Sequence, residues 1–147
     1  MGQTDILLSD VGLSQARGAA ALLGQYPLDH IVCSPLKRCI ETIEPYRLGQ
    51  NIKFEIDDGW KERDWGIYEG QTKSARGDEQ APRGGETASD FAARVQASLL
   101  RLPADQLVLV VSHSGVFREL RQLGYLSVDD LHTPPHAVPI LLTQQTS

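Results

Sequence analysis

The chain has 147 residues, 41% hydrophobic and 22% charged, enough for one compact unit with an apolar core and too short for two. Its formal net charge of -5 excludes a general nucleic-acid-binding face, which would be basic, but leaves room for a local positive pocket. No apolar run approaches the roughly 20 residues that cross a bilayer, and no basic segment followed by an apolar one opens the chain, so neither a membrane span nor a signal peptide is expected and the predicted location is cytoplasmic.

In chain order, Ser9-Asp10 is placed to cap a helix over 13–23, where Leu13, Ala16, Ala20 and Leu23 share a face. His30-Ile31-Val32-Cys33 is a short apolar run that predicts a strand ending at Ser34. Pro35 is then expected at the first helical position, where a missing N–H costs nothing. The two cysteines, Cys33 and Cys39, are too few for a disulfide framework and read as free thiols, buried or half-buried. Across 51–56, Ile52, Phe54 and Ile56 alternate with polar residues, the period of a half-buried strand. Residues 57–85 are rich in Gly, Asp, Arg and Trp and read as a long functional loop. Thr87 with Asp90 resembles a capping box for a helix running toward Leu102, with Phe91, Val95, Leu99 and Leu102 in helical register and Pro103 as its stop. Residues 107–111 form an unbroken aliphatic run, as expected of a strand buried on both faces, followed by a helix over 114–123 that ends at Gly124. Residues 137–143 predict a last strand, at an edge because Pro139 has no donor.

This α/β alternation puts two loops at the carboxyl ends of strands, one carrying Ser34 and Arg38, the other His113, and ligands of open α/β sheets bind at those ends. Arg38 lies one turn into its helix, where its fork of donors can reach an anion held near the helix N-terminus. Taken singly, Arg38 reads as an exposed residue paired with Glu41 or Thr42, and His113 as a strand-end residue satisfied by backbone. Together they point to phosphate.

Five segments in order carry a resemblance: Leu8-Ser9-Asp10-Val11-Gly12-Leu13-Ser14-Gln15-Ala16, Cys33-Ser34-Pro35-Leu36-Lys37-Arg38, Glu62-Arg63-Asp64-Trp65-Gly66-Ile67-Tyr68-Glu69-Gly70, Pro82-Arg83-Gly84-Gly85-Glu86-Thr87 and Ser112-His113-Ser114-Gly115. On them the chain is identified as a member of the histidine phosphatase superfamily, the phosphoglycerate-mutase-like proteins. The resemblance implies a three-layer sandwich, a mostly parallel central sheet with helices on both faces, over one domain of residues 1–147. It also implies phosphoryl transfer through a phosphohistidine, on a small phosphorylated substrate or inorganic phosphate, without metal or other cofactor. In that reading Arg38 clamps phosphate, His113 donates to a phosphate oxygen, and Glu62 is the general acid/base, its pKa raised by Trp60, Trp65 and Tyr68 around it. Arg63 would bind the substrate's own anionic group, and Gln3 and Ser114 would bind substrate. Trp60, Trp65 and Tyr68 read as loop-packing residues rather than a platform for a ring.

The family's nucleophile belongs to an Arg-His-Gly motif at the end of the first strand, and here Gly2-Gln3-Thr4 continues that motif with Met1 standing where the histidine is expected. The sequence therefore reads as lacking the N-terminal strand and the nucleophile, through truncation or a misplaced start, and as inactive in this form. His30, His132 and His136 are no substitutes, the first beginning a strand at the wrong end and the others flanking the Thr133-Pro134-Pro135 turn. The four histidines also lack metal-ligand spacing. The leading expectation is a phosphomonoesterase. The alternatives are a noncatalytic anion-binding or interaction module, or a phosphoglycerate mutase-type isomerase, with a homodimer formed through the missing strand's slot as a further possibility.

Overall fold

Two neighbouring parallel strands, each sending alternate side chains to opposite faces, organise the molecule. The computed structural model describes residues 10–64, 85–127 and 137–144. Expectations for Gln3 and the Gly2-Gln3-Thr4 segment, for Trp65 and Tyr68, and for His132 and His136 lie outside the described residues.

Helix α1 spans Asp10–Leu23, starting three residues earlier than its apolar face, with the acidic Asp10 in the first turn where it complements the helix dipole. Strand β1, His30–Cys33, coincides with its apolar run and is buried throughout. Helix α2, Lys37–Arg47, begins after Leu36, so Pro35 sits ahead of the helix and not at its first position. The cause is Ser34, whose Oγ accepts from Leu36 N at 3.4 Å and holds residues 34–36 in a turn. Strand β2 is Lys53–Ile56, and a 3-10 turn follows over Asp58–Trp60. Helix α3, Ala88–Leu100, is capped as expected: Thr87 Oγ1 accepts from Asp90 N at 2.9 Å. Strand β3, Val108–Val111, leads into helix α4, Ser114–Gln122, after which Gly124 takes the left-handed conformation at φ 96°. A small antiparallel pair, β4 (Tyr125–Leu126) and β5 (Thr143–Gln144), completes the described elements.

The main sheet is parallel in the order β2-β1-β3. Ile31 and Cys33 of β1, with Leu109 and Val111 of β3, pack against Leu23, Cys39, Ile43 and Tyr46 of α1 and α2. Val32, Val108 and Val110 face the other way, onto Trp60, Phe91, Val95, Val116 and Leu120 of the 3-10 turn, α3 and α4. The sheet thus has helices on both faces, the three-layer α/β arrangement expected.

Three expectations need correction. All four residues of β3 are only half-buried, because among the described residues β3 is paired with β1 alone and its second edge carries no strand. The alternation in β2 buries less than the pattern suggested: Phe54 is half-buried but Ile56 is 52% exposed, since β2 is an edge strand. In the last predicted strand, ladder pairing is confined to Thr143–Gln144, beyond Pro139, which cannot donate to a ladder.

Ile31 has no exposed surface and stands at the centre of the middle strand. Ile31→Ala is expected to lower unfolding free energy by about 2–5 kcal/mol through lost burial and a residual cavity. The midpoint of urea unfolding measures this, and a loss below about 1 kcal/mol would contradict the central placement of β1.

Candidate active site

The register of β1 and β3 sets Cys33 opposite Val111, and Ser34 N donates to Val111 O at 2.9 Å, carrying the ladder one residue past the strand. The chain therefore leaves both strands at the same level, side by side. From there α2 presents Arg38 in its first turn, and His113 forms the N-cap position of α4. The two meet: Arg38 Nη2 lies 3.3 Å from His113 Nδ1, and His113 Nε2 lies 2.9 Å from Ser34 Oγ. A guanidinium has no acceptor, so Nδ1 must accept and the ring proton belongs on Nε2, pointing to Ser34. Burial, with the positive fields of Arg38 and Arg94, pushes the His113 pKa down to about 3, so the imidazole is neutral at physiological pH.

The sequence marks Cys39 only as a free thiol, yet its Sγ is 3.5 Å from His113 Nε2 and 3.4 Å from Ser112 O, to which it donates. Both cysteines are free and buried, as expected. Burial pushes the Cys39 thiol up to about 12 against the pull of Arg38, and burial raises Cys33 further, so both remain thiols.

Glu62 comes from a third segment. Trp60 is fully buried in the core, which bears out its reading as a packing residue, and Ser112 Oγ donates to Trp60 O, tying the segment to the end of β3. Two residues on, Glu62 Oε2 accepts from Gly115 N at 3.0 Å and Oε1 from Arg63 N at 3.0 Å. The carboxylate thus occupies one of the first-turn N–H groups of α4, which have no intrahelical acceptor. Gly115 makes that possible, because a Cβ there would collide with Oε1 and the carboxyl carbon of Glu62. Arg38, Glu62, His113 and Ser114 are among the residues lining an open cleft of ≈ 1280 Å³, which also runs along β3 and past residues 137–142. Ser114 is exposed at the start of α4. Arg63 directs Nε to Glu86 O at 3.2 Å, a contact within the loop. His30 lies at the amino end of β1, away from this cluster, with Nε2 3.5 Å from Glu55 Oε2.

Compared with known proteins, residues 1–141 match the model of the histidine phosphatase superfamily (branch 1). The chain belongs to that superfamily. Agropine synthesis reductase of Rhizobium rhizogenes is 35% identical over 130 residues, which is 88% of this chain and 30% of that protein. The uncharacterized phosphatase PhoE of Bacillus subtilis is 30% identical over 125 residues, 81% of this chain and 65% of the relative. The chain thus spans less than two thirds of the length of either. Among solved structures, mycobacterial glucosyl-3-phosphoglycerate phosphatase in complex with inorganic phosphate superposes with a TM-score of 0.71 at 28% identity, covering 82% of this chain and 70% of that one. The alpha-ribazole phosphatase of Shigella flexneri shares the fold, with a TM-score of 0.73 at 23% identity, covering 84% of this chain and 70% of its own.

Two outcomes follow from this geometry. A histidine held neutral takes up no proton in the fold until about pH 3, whereas the unfolded chain takes one up near its ordinary value of 6.5. The associated stability is full above pH 6.5 and is lost as pH falls toward 3. Urea unfolding near pH 7 and pH 4.5 should show the parent losing roughly 2 kcal/mol more than His113→Gln between the two conditions, and equal losses would contradict a neutral His113. Gly115→Ala should expel the Glu62 carboxylate from the N-terminus of α4, seen as a changed Gly115-to-Glu62 contact in a crystal structure of the variant; an unmoved carboxylate would refute the steric argument.

Proposed function

We propose that residues 1–147 form one cytoplasmic histidine-phosphatase unit that acts as a phosphomonoesterase on a small phosphorylated substrate. The observation that supports this best is the convergence of Arg38, His113 and Glu62, from three segments far apart in sequence, on one cleft. In this reading Arg38 turns from His113 Nδ1, and the Nε2–H of His113 from Ser34, to the phosphate oxygens, with Ser114 and Gln3 as further contacts. Arg63 takes an anionic group elsewhere on the substrate.

The chemistry runs in two displacements. An imidazole nitrogen attacks phosphorus in line, the P–O ester bond breaks, and protonated Glu62 gives its proton to the leaving oxygen. Glu62, now a carboxylate, takes a proton from water as that water attacks phosphorus, and the P–N bond breaks to return the imidazole. The attacking imidazole of the family's Arg-His-Gly motif is not among the described residues. Arg38 and a neutral His113 held side by side at the end of the sheet also support one second reading, a unit that holds phosphate through these two residues without turnover.

Hydrolysis of an aryl phosphate separates the two. It is measured for this chain and for the chain extended by a strand ending in Arg-His, alongside calorimetry with inorganic phosphate. The phosphatase reading expects turnover in the extended protein, reduced about 10²–10⁴-fold by Glu62→Gln. Turnover indifferent to Glu62→Gln and His113→Ala would sink it. Phosphate binding lost in Arg38→Ala, with no turnover from either protein, would establish the noncatalytic reading.

A further inference from the structure

Arg94 stands in the middle of α3, between the buried Phe91 and Val95, at a position where a solvated face is the ordinary expectation. Its guanidinium instead points under the acid-bearing segment. Nη1 donates to Gly59 O at 2.9 Å and to Lys61 O at 2.8 Å, and Nη2 donates to Glu62 O at 3.2 Å. The remaining donors grip Glu86: Nε to Oε2 at 2.8 Å and Nη2 to Oε1 at 2.7 Å. All five N–H groups are thereby used, three on the backbone around Glu62 and two on one carboxylate. Glu86 in turn receives Asp64 N at 2.9 Å on Oε1, and its own N–H donates to Asp64 O at 2.7 Å.

We propose that Arg94, locked by Glu86, is the positioning residue that aims the Glu62 carboxylate at the N-terminus of α4 beside His113. The assignment rests on the phosphatase reading of Glu62 and names what holds that acid in place. Residues 61–64 have no helix or strand of their own to fix them. Their carbonyls fan out around a turn, and only a planar fork with several donors can gather three of them while remaining anchored to a carboxylate. With Trp60 fixed in the core and the carbonyls of Lys61 and Glu62 fixed by Arg94, the Cα–Cβ bond of Glu62 has one direction left. Burial opposes the charge on Glu86, but the Arg94 fork and the Asp64 N–H outweigh it and hold its pKa below the usual carboxylate range, so the anchor stays charged.

Gly115 N–H is a built-in reporter, because as a first-turn amide of α4 it accepts protection from Glu62 and from no helical carbonyl. Amide hydrogen exchange is compared in the full chain, Arg94→Lys, Glu86→Gln and Glu62→Ala. Arg94→Lys keeps the charge and loses the fork. Gly115 is expected to exchange about tenfold faster there, as in Glu62→Ala, while the β1 and β3 amides keep their protection. If Arg94→Lys fails to fold, Glu86→Gln carries the test, with a smaller increase in the same direction. Unchanged Gly115 exchange in whichever variant keeps β1 and β3 protected overturns the proposal, as does acceleration spread evenly over the whole chain. Titration of the same samples with inorganic phosphate keeps the two readings apart. Absence of any response at Ser34 and His113 counts against phosphate binding alone, whereas Gly115 acceleration confined to the variants supports the clasp either way.

Discussion

Everything at the site depends on parallel pairing between β1 and β3. Because the strands run the same way in register, their carboxyl ends finish together, and the loops that leave them begin at the same height. Residues 75 positions apart, Arg38 and His113, then need no long reach to touch. An antiparallel pair would put one of these loops at the opposite end of the sheet. The alternation along the same strands supplies the second requirement, since it gives both faces a core against which α2 and α4 are seated.

The third participant is held by different means. Glu62 belongs to no helix or strand, and its position comes from a buried tryptophan on one side and hydrogen bonds from neighbouring elements on the other. A second ion pair, Arg101 with Asp57 at 2.9 Å, ties the start of the same segment to the end of α3. Asp57 also accepts from Gly59 N at 2.8 Å, so the 3-10 turn is fixed before the chain reaches Glu62. The site thus joins a rigid half, set by strand register, to a strapped half, set by side chains of α3.

Much of this was legible in the sequence where local chemistry and global fold agree. The run His30-Ile31-Val32-Cys33 is apolar throughout and bounded by a polar turn, so its strand and burial could be read directly. Thr87 with Asp90 gave the start of α3 for the same reason. Reading failed where a neighbour decides. The half-exposure of β3 and of Ile56 reflects which strands lie beside them, which no alternation can state. Pro35 was displaced from the helix by a side-chain bond from Ser34 that the proline rule does not contain. Arg38, His113 and Glu62 are marked as candidates by the order of their segments, whereas Arg94 and Cys39 carry no local signal: one sits among ordinary helical spacings, the other reads as a core thiol. Glu86 stands out in the sequence only as part of a resembling segment, since its partner lies eight residues along and is recognisable only in three dimensions.

The glycine at position 115 has a wider effect than admitting a carboxylate. By giving up its side chain it lets the protein seat a tethered anion of its own on an N–H that any incoming anion would otherwise compete for. A tethered group holds such a donor at an effective concentration far above that of a free ion. The first turn of α4 thus offers one N–H fewer to anything from outside the chain.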